Sequence, residues 1–286
     1  MEPYNVRQGI RLMFFKGTYQ TTSLGNSQGE IYSGDGNRLS NSCALIGYWN
    51  PENFSGIGTI YENSVSGQND LELKNGIEFK SGESPKNFEL DGTNDFIGEI
   101  AGAYGSSFKV DITNEWTVCM WVKFNTTEED LIRNPLFSIG EVNAGSEGGF
   151  SMREESTGFS YDAGNDTQTI NLSQPPTPET GRWYFVSVIE GSPGQSFVDK
   201  AFDVHVDGRY IIQDGSVAYY TQTAGYKELL VGAIKESYEG FGSIYTMGKA
   251  GMKIGEIMVY SGDIGLSRVI QNYNTTKSNY DDSEKI

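Results

Sequence analysis

Residues 115 to 124, "EWTVCMWVKF", are apolar at nearly every position. Trp116, Val118, Met120, Val122 and Phe124 share one face at period two, and Cys119 and Trp121 take the other. Such a strand is predicted to be covered on both sides at its middle. "RWYFVSVIEG" (182–191) is strand-like throughout and follows the Pro-rich "SQPPTPETG". In "AFDVHVDGRYII" (201–212), Phe202, Val204 and Val206 alternate inward. Asp207-Gly208 then supplies the two positive φ angles of a tight turn, and a partner strand restarts at Tyr210. "FELDGTNDFIGEI" (88–100) looks similar. Phe88 and Leu90 flank Glu89, small polar residues turn, and the apolar run resumes at Phe96 and Ile97, which predicts another hairpin. "CALIGYW" from Cys43, "KELLVGA" and "MKIGEIMVYSG" read as further strands. One helix is predicted in "SGDIGLSRVIQNYNTTKSNY", where Leu266, Val269 or Ile270, and Tyr273 recur at helical spacing. Asp263 or Ser261 would cap it, and it would run about 11 to 13 residues as a packing element.

Strands about 8 to 12 residues apart, punctuated by Gly and Asn-Asp turns, predict an all-β, two-layer antiparallel sandwich. No internal repeat is visible, which disfavours solenoids and propellers. Residues 1–42 differ from the rest. They carry four basic and three acidic residues, so the remainder is −18, and "TTSLGNSQGEIYSGDGNRLSNS" is rich in Ser, Gly and Asn. This reads as an extended N-terminal arm, with 43–286 as one domain. Ile10, Leu12, Met13, Phe14 and Phe15 are too apolar to leave in water, so the arm is expected to dock on a neighbouring subunit.

Composition narrows the class. With 37% hydrophobic and 21% charged residues in 286, the chain is globular and can bury a core without cross-links. The net charge of −17 would repel a phosphate backbone, so nucleic acid is not an expected partner. Cys43 and Cys119 lie in apolar runs and are expected as buried free thiols. The start "MEPYNVRQGIRLMFF" lacks the pattern of a secretory signal, and no run of about 18 apolar residues occurs. Synthesis in a cytoplasm without membrane insertion is therefore the expectation.

Six pieces in order carry a resemblance: "ALIGYW", "FELDGTNDFI", "EWTVCMWVKF", "GRWYFVSVIEG", "FDVHVDGRYI" and "IGEIMVYSGDIGLSRVIQNYN". Over residues 43 to 280 they resemble the laminin-G-like, or concanavalin A-like, jelly roll. The Gly-Glu-Ile strand, short turn and helix closing in Asn-Tyr-Asn resemble virion structural proteins of tailed bacteriophages, which often carry this jelly roll. The resemblance implies a particle assembled in a host cytoplasm, with capsid or tail proteins as partners.

The β-glucanases of this fold place Glu-x-Asp-x-x-Glu on one strand, where acid and nucleophile share a face. Here Glu89-Leu-Asp91 is followed by Asn94 instead of the second Glu, and Asp91 belongs to a turn. His205 is the one histidine, so no multi-histidine metal site exists, and it is expected on the surface or a sheet face. No phosphate-cradling Gly-x-x-x-x-Gly-Lys loop is present. Jelly rolls of this group often bind glycans through rim loops, sometimes with calcium. Stacking then needs an aromatic side chain, and an ion needs carboxylates. Tyr219, Tyr220 and Tyr238 are the candidate stacking residues; Asp162, Asn165 and Asp166 are the candidate calcium ligands.

The expectation is a non-enzymatic structural protein on a tailed-phage capsid or tail, anchored by its arm and self-associating. It requires no cofactor. The alternative is a glycan-binding module for host adhesion, with calcium admitted.

Overall fold

The computed structural model describes residues 43–99, 107–125, 134–142, 149–155, 158–163, 179–191, 199–213, 218–219, 225–238, 242–247 and 251–280. The arm expected over 1–42, with Ile10, Leu12, Met13, Phe14 and Phe15, lies outside them.

Two antiparallel sheets are packed face to face. The first runs from Arg209–Gln213 through Asp199–Val206, Trp183–Gly191, Trp116–Lys123 and Lys253–Ser261 to Asn87–Glu89 and Glu78–Lys80. Ala44–Trp49 also pairs with Lys253–Ser261. The second runs from Gly158–Ala163 through Phe150–Glu155, Asn134–Ile139, Tyr226–Val231 and Phe96–Gly98 to Leu71–Lys74 and Ile60–Tyr61. Val118, Met120 and Val122 point between the sheets and share one core with Ile97, Phe137 and Val231 from the other side. Trp116 stands edge-on to Phe150 at 5.1 Å between centroids, a geometry the ring quadrupoles favour. This is the two-layer sandwich that the alternation predicts, and it fits the jelly roll that the resemblance implies.

The segment 88–97 is not a hairpin. Phe88 sits in the first sheet, opposite Ile254. Ile97 sits in the second, opposite Leu73 and Val231. The turn between them is an arch that carries the chain from one layer to the other. Phe88, Leu90 and Ile97 are all buried, facing one core from opposite sides. An apolar–turn–apolar pattern is satisfied equally by a hairpin and by an arch, so alternation cannot separate them. The polar residues do shape the turn: an Asp91 carboxylate oxygen accepts from the Thr93 and Asn94 amides at 2.7 and 3.3 Å. The hairpin at 201–212 forms as expected, with Val206 opposite Arg209 and φ of 54° at Asp207 and 70° at Gly208.

The outer face of the first sheet is covered too. Cys119 and Trp121 pack there with Phe185, Met258, Tyr260, Val269 and Tyr280 in a second apolar cluster. The lid is the helix Gly265–Tyr280, of 16 residues, longer than predicted. Asp263 begins it, its carboxylate accepting from the Gly265 amide at 2.7 Å. Its buried face is Val269, Asn272, Thr276 and Tyr280, whereas Leu266 and Ile270 are 41% and 37% exposed. Asn272 donates to the Tyr260 hydroxyl at 3.0 Å, and the Trp121 indole donates to Thr276 Oγ1 at 2.8 Å. Short polar side chains let the helix sit close and satisfy polar groups beneath it, which apolar periodicity cannot reveal.

Neither cysteine is in a disulfide. Cys119 is fully buried, and burial pushes its thiol up to about 11. Cys43 is half-buried and donates to the Asp263 carbonyl at 2.8 Å. His205 lies on the sheet face, as one of the two expected placements, but is buried rather than exposed; burial pushes its pKa down to about 4. Among the described residues, no helix is long and apolar enough to cross a membrane.

Candidate functional site

A cavity of about 390 Å³ opens where the last turns of the helix meet the outer face of the first sheet. That volume lies in the roughly 300–1,000 Å³ range of small-molecule sites. Its walls follow from four local features. Trp121 projects outward from the middle of Trp116–Lys123 because its neighbours in the period face the core. Trp183 opens the next strand, held in place by a turn at Glu179–Arg182. That turn needs Gly181, whose φ is +82° and whose amide donates to the Phe124 carbonyl at 2.7 Å. Tyr273, Lys277 and Tyr280 recur at helical spacing and so reach the cavity together. Asp207 arrives from the tight turn of the 201–212 hairpin.

The floor is aromatic. Trp121 and Tyr280 are stacked at 4.4 Å and 10°, Trp183 stands edge-on to Tyr280 at 5.0 Å, and Tyr273 lies 5.8 Å from Trp121. The rim is charged. Arg182 pairs with Asp207 at 2.6 Å and lies 4.8 Å from the Tyr184 ring. The Asp207 carboxylate also accepts from the Phe185 amide at 3.0 Å. Its pKa is nonetheless raised, because burial outweighs that amide and the guanidinium. Lys277 places its ammonium 5.5 Å from the Tyr273 ring. Among the described residues, neither Lys277 nor Glu179 is in an ion pair, and both are exposed at the rim. An aromatic floor ringed by an exposed lysine, an exposed glutamate and a braced Arg–Asp pair suits a small molecule with an apolar face and several hydrogen-bonding groups.

The sequence candidates among the described residues lie elsewhere. Tyr219 is in the short strand Ala218–Tyr219, opposite Asp199 at an edge of the first sheet. Asp162 is in Gly158–Ala163 of the second sheet, opposite Ser151. Tyr238 is in Ala233–Tyr238, opposite Gly242 in a small additional sheet. Tyr220, Asn165 and Asp166 lie outside the described residues. The backbone therefore puts the three placed candidates on three different sheets. Among the described residues, no group of three or more His, Cys, Asp or Glu side chains is placed to hold a metal ion. Sequence reading missed the helix face, although Tyr273, Lys277 and Tyr280 at spacings of four and three were its signal.

No family model matches the chain. No curated protein matches it by sequence. Solved structures do share its fold. A sialidase of Trypanosoma rangeli in complex with the inhibitor DANA is similar over 80% of this chain and 32% of its own, at 14% identity and a TM-score of 0.54. The same sialidase with sialic acid is similar over 83% and 34%, at 13% and 0.54. Domain 4 of AbnA, an extracellular GH43 arabinanase of Geobacillus stearothermophilus, in complex with arabinotriose, is similar over 80% of this chain and 98% of its own length, at 13% and 0.55. The chain thus spans about a third of the sialidases it matches.

At such identities the likeness is one of fold, and it supports a sandwich without indicating a laminin-G relationship or a phage origin. It corrects one expectation. A non-enzymatic protein was expected because the glucanase motif is broken and His205 stands alone, but chains of sialidases and a domain of an arabinanase share this fold. Missing motifs exclude those particular chemistries, not catalysis as such.

Proposed function

We propose that residues 43–280 form a carbohydrate-recognising module whose ligand occupies the cavity beneath the end of the helix. The observation that carries this reading is the cavity itself, with its aromatic floor of Trp121, Trp183, Tyr273 and Tyr280 and its rim of Glu179, Arg182, Asp207 and Lys277. A sugar ring offers C–H faces to aromatic surfaces and hydroxyls to charged side chains, so this is the lining it needs. The arabinotriose carried by the AbnA domain, which is similar over nearly its whole length, supports the same reading.

Calorimetric titration with arabino-oligosaccharides, sialylated oligosaccharides and neutral hexose oligomers tests it. One class should bind, and Lys277→Ala and Arg182→Ala should each weaken that binding by about three- to tenfold, because both side chains sit at the rim. If none binds, or both variants bind like the parent, the cavity is not the site. Loss of binding on changing Tyr219, Tyr220 or Tyr238 instead, or on removing calcium held by Asp162, Asn165 and Asp166, would move the site to the loops.

The setting we propose is a tailed-phage particle, held through the arm at 10–15 and using the module for host adhesion. That setting is supported by the sequence resemblance alone. Mass spectrometry of purified particles should find the chain there; its absence from them removes the setting and leaves the module.

A further inference from the structure

We propose that Glu256 is a proton-operated latch that holds the last turn of the helix, and with it the Tyr280 wall of the cavity, against the sheet. What that wall binds rests on the carbohydrate reading; the latch does not.

The latch sits at a break in the sheet. Lys253 and Ile254 pair with Glu89 and Phe88, whereas Ile257 to Ser261 pair with Trp49 to Ala44. Residues 255 and 256 fall where the edge changes partner. The register against Trp116–Lys123 shifts at the same place, between Ile254 and Ile257. A bulge there frees backbone groups from the ladder. The end of the helix closes the gap. The Tyr280 hydroxyl accepts from the Glu256 amide at 2.8 Å. Its ring lies over Gly255, where a Cβ would come within 2.6 Å of Tyr280 Cε1. The same ring is stacked on Trp121 at 4.4 Å and lines the cavity.

The Glu256 carboxyl is buried in this gap. Asn279 Nδ2 donates to Oε1 at 3.4 Å, and the Tyr48 hydroxyl donates to Oε2 at 3.3 Å. Both bonds are long. Among the described residues, the titratable groups that act on it are Tyr48 from Ala44–Trp49, Glu52 from the turn Pro51–Asn53, Tyr61 from Ile60–Tyr61 and Tyr280 from the helix. None is a cation, and Glu52 carries the same sign. Burial therefore pushes the Glu256 pKa up to about 7, against the Asn279 and Tyr48 hydrogen bonds. When the proton leaves, two long hydrogen bonds are poor compensation for a buried carboxylate. Water reaches it if the turn carrying Asn279 and Tyr280 swings out. Tyr280 then leaves Trp121, and the cavity loses a wall.

The test labels the four tryptophans with fluorine and follows the Trp121 resonance, assigned by Trp121→Phe, between about pH 5 and pH 9 without ligand. It should move with a midpoint near 7 in the parent and stay still in Glu256→Gln, whose side chain is isosteric and neutral. His205 stays out of this window. Tyr280→Phe, which keeps the ring but not the acceptor for the Glu256 amide, should show a released signal at every pH. A parent resonance that does not move, or one that still titrates in Glu256→Gln, overturns the latch. Sugar affinity should fall about threefold or more from low to high pH in the parent and stay at its low-pH value in Glu256→Gln. Constant affinity beside a moving Trp121 would show that the wall does not govern binding and would overturn its role at the site. No sugar binding beside a moving Trp121 would sink the carbohydrate reading and leave the latch standing.

Discussion

Replacing Trp121 by alanine is expected to lower the stability of the domain by about 3–5 kcal/mol, the usual loss for a buried aromatic side chain. Trp121 is the hub of the outer cluster. Its ring is stacked on Tyr280, lies 5.2 Å from Phe185 and 5.8 Å from Tyr273, and its indole donates to Thr276. Truncation leaves a cavity under the helix and removes the one donor to Thr276 Oγ1, whose hydroxyl keeps only its bond to the Asn272 carbonyl at 2.9 Å. The core between the sheets is untouched, because Trp121 points away from it. The variant should therefore keep a strand-dominated circular dichroism spectrum while its denaturation midpoint falls and its helical signal weakens. Sugar binding should be lost with it, since the floor of the cavity is gone. A loss under about 1 kcal/mol would show that the helix docks without the indole, contrary to the packing described.

Glu256→Gln is expected to stabilise the protein above neutral pH by on the order of 3 kcal/mol. The unfolded chain releases this proton near 4.5, the folded chain near 7. Between those values the unfolded state ionises while the folded state cannot, so the parent loses stability as pH rises through the window. The loss is complete above 7, and below 4.5 the group contributes nothing. Asp95, Asp207 and Asp263, also raised by burial, act in the same direction, whereas a lowered carboxyl acts oppositely. Asp91, held low first by the Thr93 amide, adds stability at neutral pH that is lost on acidification. The difference between parent and variant, measured by denaturant unfolding at several pH values, isolates Glu256. Parallel curves with no divergence between pH 4.5 and 7 would mean that the buried carboxyl has water or a partner that relieves it.

The strands were readable because their signal is local. Two-faced burial of Trp116–Lys123 follows from apolar residues at both phases of the period, and the structure covers both faces. The Asp207-Gly208 turn was readable because φ > 0 at two successive positions narrows the choice of residues. The helix was half readable. Its existence was evident and its cap was narrowed to Asp263 or Ser261, of which the structure uses Asp263, but its buried face uses Asn272 and Thr276, which a search for apolar spacing passes over. The site was the least readable part. Its lining comes from residues 121, 179–183, 207, 273, 277 and 280, which are brought together by strand pairing and helix docking and not by any motif.

Sequence alone therefore determined the all-β class, the two-sided central strand, the tight turn at 207–208 and the terminal helix, since each depends on side chains within a few residues of one another. Tertiary structure decided that 88–97 crosses between layers, that the helix buries Asn272 and Thr276 beside Val269 and Tyr280, and that two tryptophans and two tyrosines meet beneath the end of the helix. Those outcomes depend on which distant surface each segment finds, and an alternating pattern states only that a face must be covered, not by what.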